Sequence, residues 1–262
     1  MASREHSIDT SVPHPARRYN YWLGGKDHFA ADRESGDAIA AAFPVVVELA
    51  RANRAFLRRA VRFVAGAGVR QFLDIGTGLP APDNTHEVAQ GVTPSARIVY
   101  VDNDPLVLVH ARALLTSDPA GTTDYIDADV RDTGRVLAGA ARTLDLHRPV
   151  AIMMLGVLNF LLDDDEVHRV VSALVGAVPS GSYLVVTHPT VELGGEMNVP
   201  AMQFYNKRAE PKIRTRSGAE VAALFDGLDL IEPGLVSASR WRHPAGPAPA
   251  EMPLWAAVGR KP

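Results

Sequence analysis

A chain of 262 residues can bury a sizeable core without covalent staples, and 47% hydrophobic with 22% charged residues is a globular composition, not a disordered one. Twenty-seven Lys and Arg against thirty Asp and Glu give a net charge of −3, which excludes a strongly basic nucleic-acid binder held mainly by phosphate contacts, though not a local basic patch. The absence of cysteine excludes disulfides, thiolate metal sites, iron–sulfur clusters and a Cys nucleophile.

Residues 1–18 are polar, contain Pro13 and Pro15, and lack the apolar stretch of an export signal, so they read as a flexible arm. Residues 19–32 are aromatic-rich with a break at Gly24 and Gly25. Residues 35–65 read as helix interrupted near Pro44, because Val46, Leu49, Phe56, Leu57, Ala60, Val61 and Val64 recur at helical spacing. Arg51, Arg54, Arg58, Arg59 and Arg62 fall largely on another face, either a solvated surface or an anion or RNA site. From Gln71 onward short apolar strands alternate with helices. Strands are expected at Gln71–Ile75, Arg97–Asp102, 123–127, 150–155 and 182–187, and helices at 84–90, 105–116, 132–141, 163–177 and 217–225. Strands at 228–232 and 253–259 follow, expected to finish the sheet as an antiparallel edge hairpin. This alternation predicts an α/β fold with a mostly parallel sheet covered on both faces. No repeat or linker divides the chain, so 19–262 reads as one domain, with 19–66 a helical segment before the core at 67–262. The most apolar window, 150–162, is broken by Gly156 and Asn159 and is shorter than the about twenty residues of a membrane span. A cytoplasmic protein without a membrane partner is expected.

Chemistry gathers at the strand ends. The first strand closes in Asp74-Ile75-Gly76-Thr77-Gly78, a turn that lets backbone N–H groups approach a ligand. The second ends in Asp102 and Asn103, where a carboxylate can accept both hydroxyls of a ribose. Asp104, before Pro105, suits a helix N-cap better than a ligand contact. The third strand runs into Asp129 and Val130, suited to an adenine edge and face, and the fourth into Leu155 and Gly156. Gly76 to Ala81 also matches the dinucleotide fingerprint G-x-G-x-x-A. Pro80 and Pro82, however, interrupt the place where a pyrophosphate-binding helix should begin, and helix signals return only at Asn84 with Glu87. Asp74 beneath the loop would repel a pyrophosphate but attract the cationic sulfonium and amino groups of S-adenosyl-L-methionine. The residues favour that cofactor over NAD.

The D-x-G-x-G loop with Asp102 and Asp129 resembles class I S-adenosylmethionine-dependent methyltransferases. More specifically, ARRYNYWLGGKDHFAADRE, QFLDIGTGLPAPDNTHEVAQ and VYVDNDPLVLVHARALL resemble the actinobacterial S-adenosyl methyltransferase family, formerly domain of unknown function 574. The resemblance implies the Rossmann-like, seven-stranded methyltransferase fold with extra N-terminal helices, and S-adenosyl-L-methionine as cofactor, S-adenosyl-L-homocysteine as product. It supplies neither acceptor nor catalytic residue. It implies that Gly76, Thr77 and Gly78 pack against the methionyl part, that Asp74 meets its amino end, and that Leu155 and Gly156 line the pocket near the sulfonium.

Asn20, Tyr21 and Gly24, with Tyr19, Trp22 and Gly25, are expected to fold over the cofactor as a lid, with Lys26 or Arg17 pairing its carboxylate; the alternative is that Tyr21 and Trp22 only anchor the arm. Methyl transfer is an in-line displacement that needs orientation and desolvation more than a base. If a base exists, His188, Asn159, Glu192 and Tyr205 lie in suitable places, although His188 equally suits a structural turn. His86 is either a helix-face residue or a cofactor contact. No metal site is expected, since His86-Glu87 lacks the second His of a zinc helix. The stretch 194–216 is either a specificity loop or a surface excursion with a short helix. A small-molecule acceptor is favoured. Nucleic acid is disfavoured because Leu155-Gly156-Val157-Leu158 lacks the Asn/Asp-Pro-Pro-aromatic pattern that grips a flipped base. A silent cofactor-binding regulator remains the alternative to an enzyme.

Overall fold

The computed structural model describes residues 9–107, 109, 117–196 and 198–262. Three helices, α1 (Pro15–Trp22), α2 (Ala30–Ala42) and α3 (Val46–Gly66), precede the sheet. Alternation then follows with β1 (Gln71–Ile75), α4 (Thr85–Val92), β2 (Arg97–Asp102), β3 (Thr122–Asp127), α5 (Thr133–Ala140), β4 (Ala151–Leu155), α6 (Asp164–Gly176) and β5 (Tyr183–Pro189). Helices α7 (Asn198–Arg208) and α8 (Gly218–Ala223) lead to β6 (Asp229–Leu230), β7 (Val236–Ser237) and β8 (Leu254–Arg260). The expected helix 105–116 is helical at 105–107, and 110–116 lie outside the described residues.

The sheet order is β3-β2-β1-β4-β5-β8-β6, with the two-residue β7 pairing β8 off this line. Strands β1 to β5 pair in parallel, and β8 runs antiparallel between β5 and β6. The α/β expectation and its antiparallel finish are met. Successive side chains leave a strand on opposite faces. Leu73, Ile75, Val99, Val101, Ile152 and Met154 therefore pack against α5, α6 and α8. Phe72, Ile98, Tyr100, Ala151, Met153 and Val185 pack against α3, α4 and the buried Trp241. Asp74 shares the second face, under α3 and α4.

The chain reverses at β1, so β2 and β4 diverge to either side of it and leave a crevice at the carboxyl ends. The N-terminal helices and α7 stand over this crevice around a smaller apolar cluster that includes Ile39, Phe43, Val46, Ala201 and Tyr205. Residues 15–18, expected as the end of a flexible arm, instead open α1. Pro15 sits in its first turn, where a missing N–H costs nothing. Arg17 and Arg18 are buried. Arg17 Nε lies 3.3 Å from Asp104 Oδ2, and Asp32 accepts the His14 N–H at 2.8 Å. These contacts tie the segment to the body.

Candidate active site

A cavity of about 370 Å³ opens at this crevice. Its floor is the β1–α4 loop. Gly76 and Gly78 have φ of +72° and +67°, a region that favours glycine. Gly76 also passes so close to Val157 that an added Cβ would lie 2.7 Å from Val157 Cβ. The Gly76 N–H donates to Val101 O at 2.8 Å, and the Gly78 N–H to Asp102 Oδ2 at 2.8 Å. Asp102 Oδ1 accepts the Asp104 N–H at 3.0 Å. Asp102 thus shapes the loop while keeping a lone pair on each oxygen for a ligand. Burial raises its pKa. Asp104 Oδ1 accepts the Leu106 N–H at 3.0 Å, the helix-start role expected of it.

Asp74 lies on the wall between loop and helix. Thr85 Oγ1 donates to its Oδ2 at 2.6 Å. Burial pushes its carboxyl up to about 6 against the pull of Thr85 and Arg54. Farther along, Asn103 Nδ2 is 3.5 Å from Asp129 Oδ2, and Arg131 Nη1 lies 3.1 Å from the same oxygen. Val130, Leu155 and Gly156 complete this half of the wall. All ten sheet-edge residues expected at a cofactor, from Asp74 to Gly156, therefore face one space. The acids point together, the glycines admit close approach, and α4 begins only at Thr85, without the early helix start a pyrophosphate would need. The Glu87 carboxylate accepts the Asn84 N–H at 2.7 Å, the start signal seen in the sequence. These donors and acceptors fit a cationic adenosyl amino acid.

The cavity continues beneath the N-terminal helices into a mainly apolar chamber with Trp22, Phe43, Val46, Leu49, Met202 and Ile213 on its walls. Asn159, on the short turn Leu158–Phe160 that follows Gly156 in the chain, lines the same cavity, and its buried Oδ1 has no hydrogen-bond partner. Tyr205 reaches the chamber from α7.

Other expected residues are elsewhere. Asn20, Tyr21 and Gly24 are not on the cavity wall. Asn20 Oδ1 accepts the Asp27 N–H at 3.0 Å, Tyr21 donates to Asp37 at 2.7 Å on the surface, and Gly24 turns the chain with φ +78°. On α1 the residues that reach the cavity are Pro15, Ala16, Arg18, Tyr19 and Trp22, of which 15, 18, 19 and 22 share one helix face. Arg17 is committed to Asp104, and Lys26 is exposed and off the wall. His188 is fully buried off the cavity. Its Nε2 accepts from Arg216 Nη1 at 2.9 Å, which leaves Nδ1 to donate to Pro189 O at 2.9 Å. Burial and this cation hold it down to about 4, so it stays neutral with its lone pair occupied. His86 is buried against Tyr100, its Nδ1 2.8 Å from the phenolic oxygen, and is not a cavity residue. Glu192 accepts the Gly218 N–H at 2.6 Å and is likewise off the wall.

The sequence reading left Arg54 between a solvated face and an anion site. Its Nη2 donates to the carbonyls of Pro82 and Asp83, both at 2.8 Å, while its buried Nε has no partner and the side chain lines the cavity near Asp74. The signal was present: Arg54 is four residues after Ala50 and three before Leu57, so the helical period puts it on the buried stripe. Of its neighbours, Arg51, Arg58 and Arg62 are exposed, as expected of a solvated face, and two of the stripe also hold the backbone or a turn. Arg58 pairs with Asp83, and Arg59 donates to the carbonyls of Trp241 and Ala238, both at 2.6 Å.

Among the described residues no helix is long and apolar enough to cross a membrane, and no three His, Asp or Glu gather as a metal site. No curated protein matches the chain in sequence. Solved structures do. A Streptomyces avermitilis protein of the former domain-of-unknown-function family 574 is 42% identical, with TM-score 0.92 over 98% of this chain and all of that one. A Thermobifida fusca protein carrying a methyltransferase assignment is 40% identical, with TM-score 0.88 over 100% of this chain and 99% of that one. The magnesium protoporphyrin IX methyltransferase of Synechocystis, solved with bound S-adenosyl-L-homocysteine, shares the fold at TM-score 0.56, with 10% identity over 94% of this chain and 93% of that one. The family model for S-adenosyl methyltransferases matches residues 1–262, and with it the chain belongs to that family of class I, S-adenosyl-L-methionine-dependent methyltransferases.

Proposed function

We propose that this enzyme methylates a small, mainly apolar molecule seated in the chamber under α1, α2 and α7. The observation that carries this reading is the continuity of the cavity, from the acids at the sheet edge, past Gly156 and Asn159, into apolar walls. Asp102 receives the ribose hydroxyls. Asn103, Asp129 and Val130 receive the adenine, with Arg131 yielding part of its hold on Asp129. Asp74 receives the amino group, and the free Nε of Arg54 the carboxylate, so that opposite charges meet at one end. Bound in this way, the cofactor supplies an electrophilic methyl group. The chain's residues orient and desolvate: the apolar walls exclude water and hold the acceptor in line, and Asn159 Oδ1 accepts the proton-bearing side of the acceptor's nucleophile and aims its lone pair. Burial raises the Tyr205 pKa, so its hydroxyl stays protonated and serves as a donor, not a base.

Calorimetry with S-adenosyl-L-homocysteine tests the cofactor half. Asp102→Ala and Arg54→Gln should each weaken binding at least tenfold, and Tyr21→Ala should leave it unchanged; equal binding by wild type and Asp102→Ala sinks the arrangement. Labelled methyl groups offered with a bacterial extract should appear in material below about 1 kDa, the size a pocket of several hundred cubic ångströms admits. Label found only in RNA or protein overturns the small-molecule reading.

A further inference from the structure

Two adjacent arginines on α1 are buried in different electrostatic company. Arg17 lies 3.3 Å from Asp104 and 3.9 Å from Asp32. Arg18 is 1% exposed and has no carboxylate within ion-pair distance among the described residues. Its Nη1 donates to Ser35 Oγ at 3.4 Å and to Glu210 O at 3.3 Å, and its Nη2 to Tyr205 Oη at 2.8 Å and to Glu210 O at 3.3 Å. The carboxylate of Glu210 pairs instead with Lys212, at 2.8 Å. Among the described residues Arg18 Nε donates to no acceptor, and Tyr205, having accepted from Arg18, donates its own proton to none. Both side chains line the chamber. A buried guanidinium with neutral partners alone is costly, and an unused N–H beside an unused O–H is a receptor for an anionic oxygen pair.

The geometry points to an acceptor that is a carboxylic acid on an apolar frame, its carboxylate docked on Arg18 Nε and Tyr205 Oη. This inference rests on the methyltransferase reading above and adds the acceptor's chemical class. The cofactor's own carboxylate has Arg54, whose charge acts on Asp74, whereas Arg18 is fastened to Tyr205 on α7 and to the backbone of residue 210. The carboxylate is a handle and not the reacting atom; the nucleophile lies elsewhere on the frame, toward Asn159.

The test uses 2-naphthoate and 2-naphthamide, matched in shape and differing in charge, titrated into the full chain saturated with S-adenosyl-L-homocysteine. Naphthoate should bind at least tenfold tighter. Arg18→Gln should bring the two ligands to equal affinity while binding of S-adenosyl-L-homocysteine stays within twofold of wild type. Should Arg18→Gln fail to fold, Tyr205→Phe carries the test: it should weaken naphthoate about fivefold and leave naphthamide unchanged. No binding of naphthoate, no preference for it, or a preference that survives both substitutions overturns the inference. So does an Arg18→Gln variant that loses the homocysteine product and not naphthoate, since Arg18 would then hold the cofactor. A wild-type protein that fails to bind S-adenosyl-L-homocysteine at all removes the methyltransferase reading itself, a separate result.

Discussion

At Asp74 the apo protein sacrifices stability for charge. Burial lifts its carboxyl from 3.8 to about 6, against the nearby Arg54 cation and the Thr85 hydroxyl and together with Asp102. A raised folded-state pKa favours the protonated native form. That contribution is complete below pH 3.8 and is lost as pH rises through 6, for a cost of roughly 3 kcal/mol above it. Asp74→Asn keeps an acceptor for Thr85 without the charge. At pH 8 the apo variant should melt higher than wild type by about 6–12 °C, at 2–4 °C per kcal/mol, yet bind S-adenosyl-L-homocysteine more weakly. Wild-type affinity should fall between pH 7 and pH 5 as the carboxylate protonates, and the variant's should fall less. A variant that melts no higher and binds as tightly shows that Asp74 faces no cationic group. His188 is the opposite case. Its depressed pKa gives stability present above pH 6.5 and lost as pH falls through about 4. His188→Gln, which still offers Arg216 an acceptor, should cost about 1–2 kcal/mol in urea unfolding and leave the pH profile of methyl transfer between 6 and 8 unmoved. A shifted profile would restore His188 as a base.

At the scale of elements, α3 organises both the sheet and the site. Its apolar stripe covers one sheet face, while Arg54 and Arg58 hold the 82–83 turn and Arg59 holds the backbone around Trp241. Arg59→Met removes two charge-assisted bonds and strands two carbonyls, which should lower stability by about 2–3 kcal/mol with affinity for S-adenosyl-L-homocysteine unchanged. The loops after β1 and β4 meet at Gly76 and Val157. Gly76→Ala puts a methyl 2.7 Å from Val157 Cβ at a φ of +72°. Cofactor affinity should drop at least tenfold, and Val157→Ala in the same chain should recover only part of it, because the backbone strain remains; full recovery would place the whole effect in the steric clash. These elements show what the sequence made legible. Strand ends announced themselves because short apolar runs stop at Asp or run into Gly, and all ten sheet-edge residues named there reach the cavity. The N-terminal segment was legible only in part because helical phase, not residue type, decides its role. Of the residues expected over the cofactor, Tyr19 and Trp22 line the cavity and Asn20 and Tyr21 do not, and Arg18 differs from Arg17 only in which carboxylates the fold brings near. Long-range pairings of that kind leave no local pattern.

At the scale of the molecule, stability is distributed unevenly in a way that suits ligand capture. Two large clusters sandwich the sheet, whereas the cover of α2, α7 and the start of α3 is held by a small cluster around Ile39, Phe43, Val46 and Tyr205, with the cavity beneath it. Few buried contacts imply low local opening energy. In hydrogen exchange, amides of α2 and α7 should open at less cost than those of β1, β4 and β5. A ligand filling the cavity adds the missing packing. S-adenosyl-L-homocysteine at a hundred times its Kd should stabilise the whole chain by about 2.7 kcal/mol, or about 5–10 °C in melting temperature for a chain of this size. It should protect the loops after β1 and β2 first, because Asp74, Gly78 and Asp102 line that half. Adding an acceptor-like acid should then slow exchange in α1, α2 and α7 with little further change in the sheet. Uniform slowing across sheet and cover would mean that the cover is part of one cooperative core, and that the acceptor must enter by global unfolding or through a mouth elsewhere.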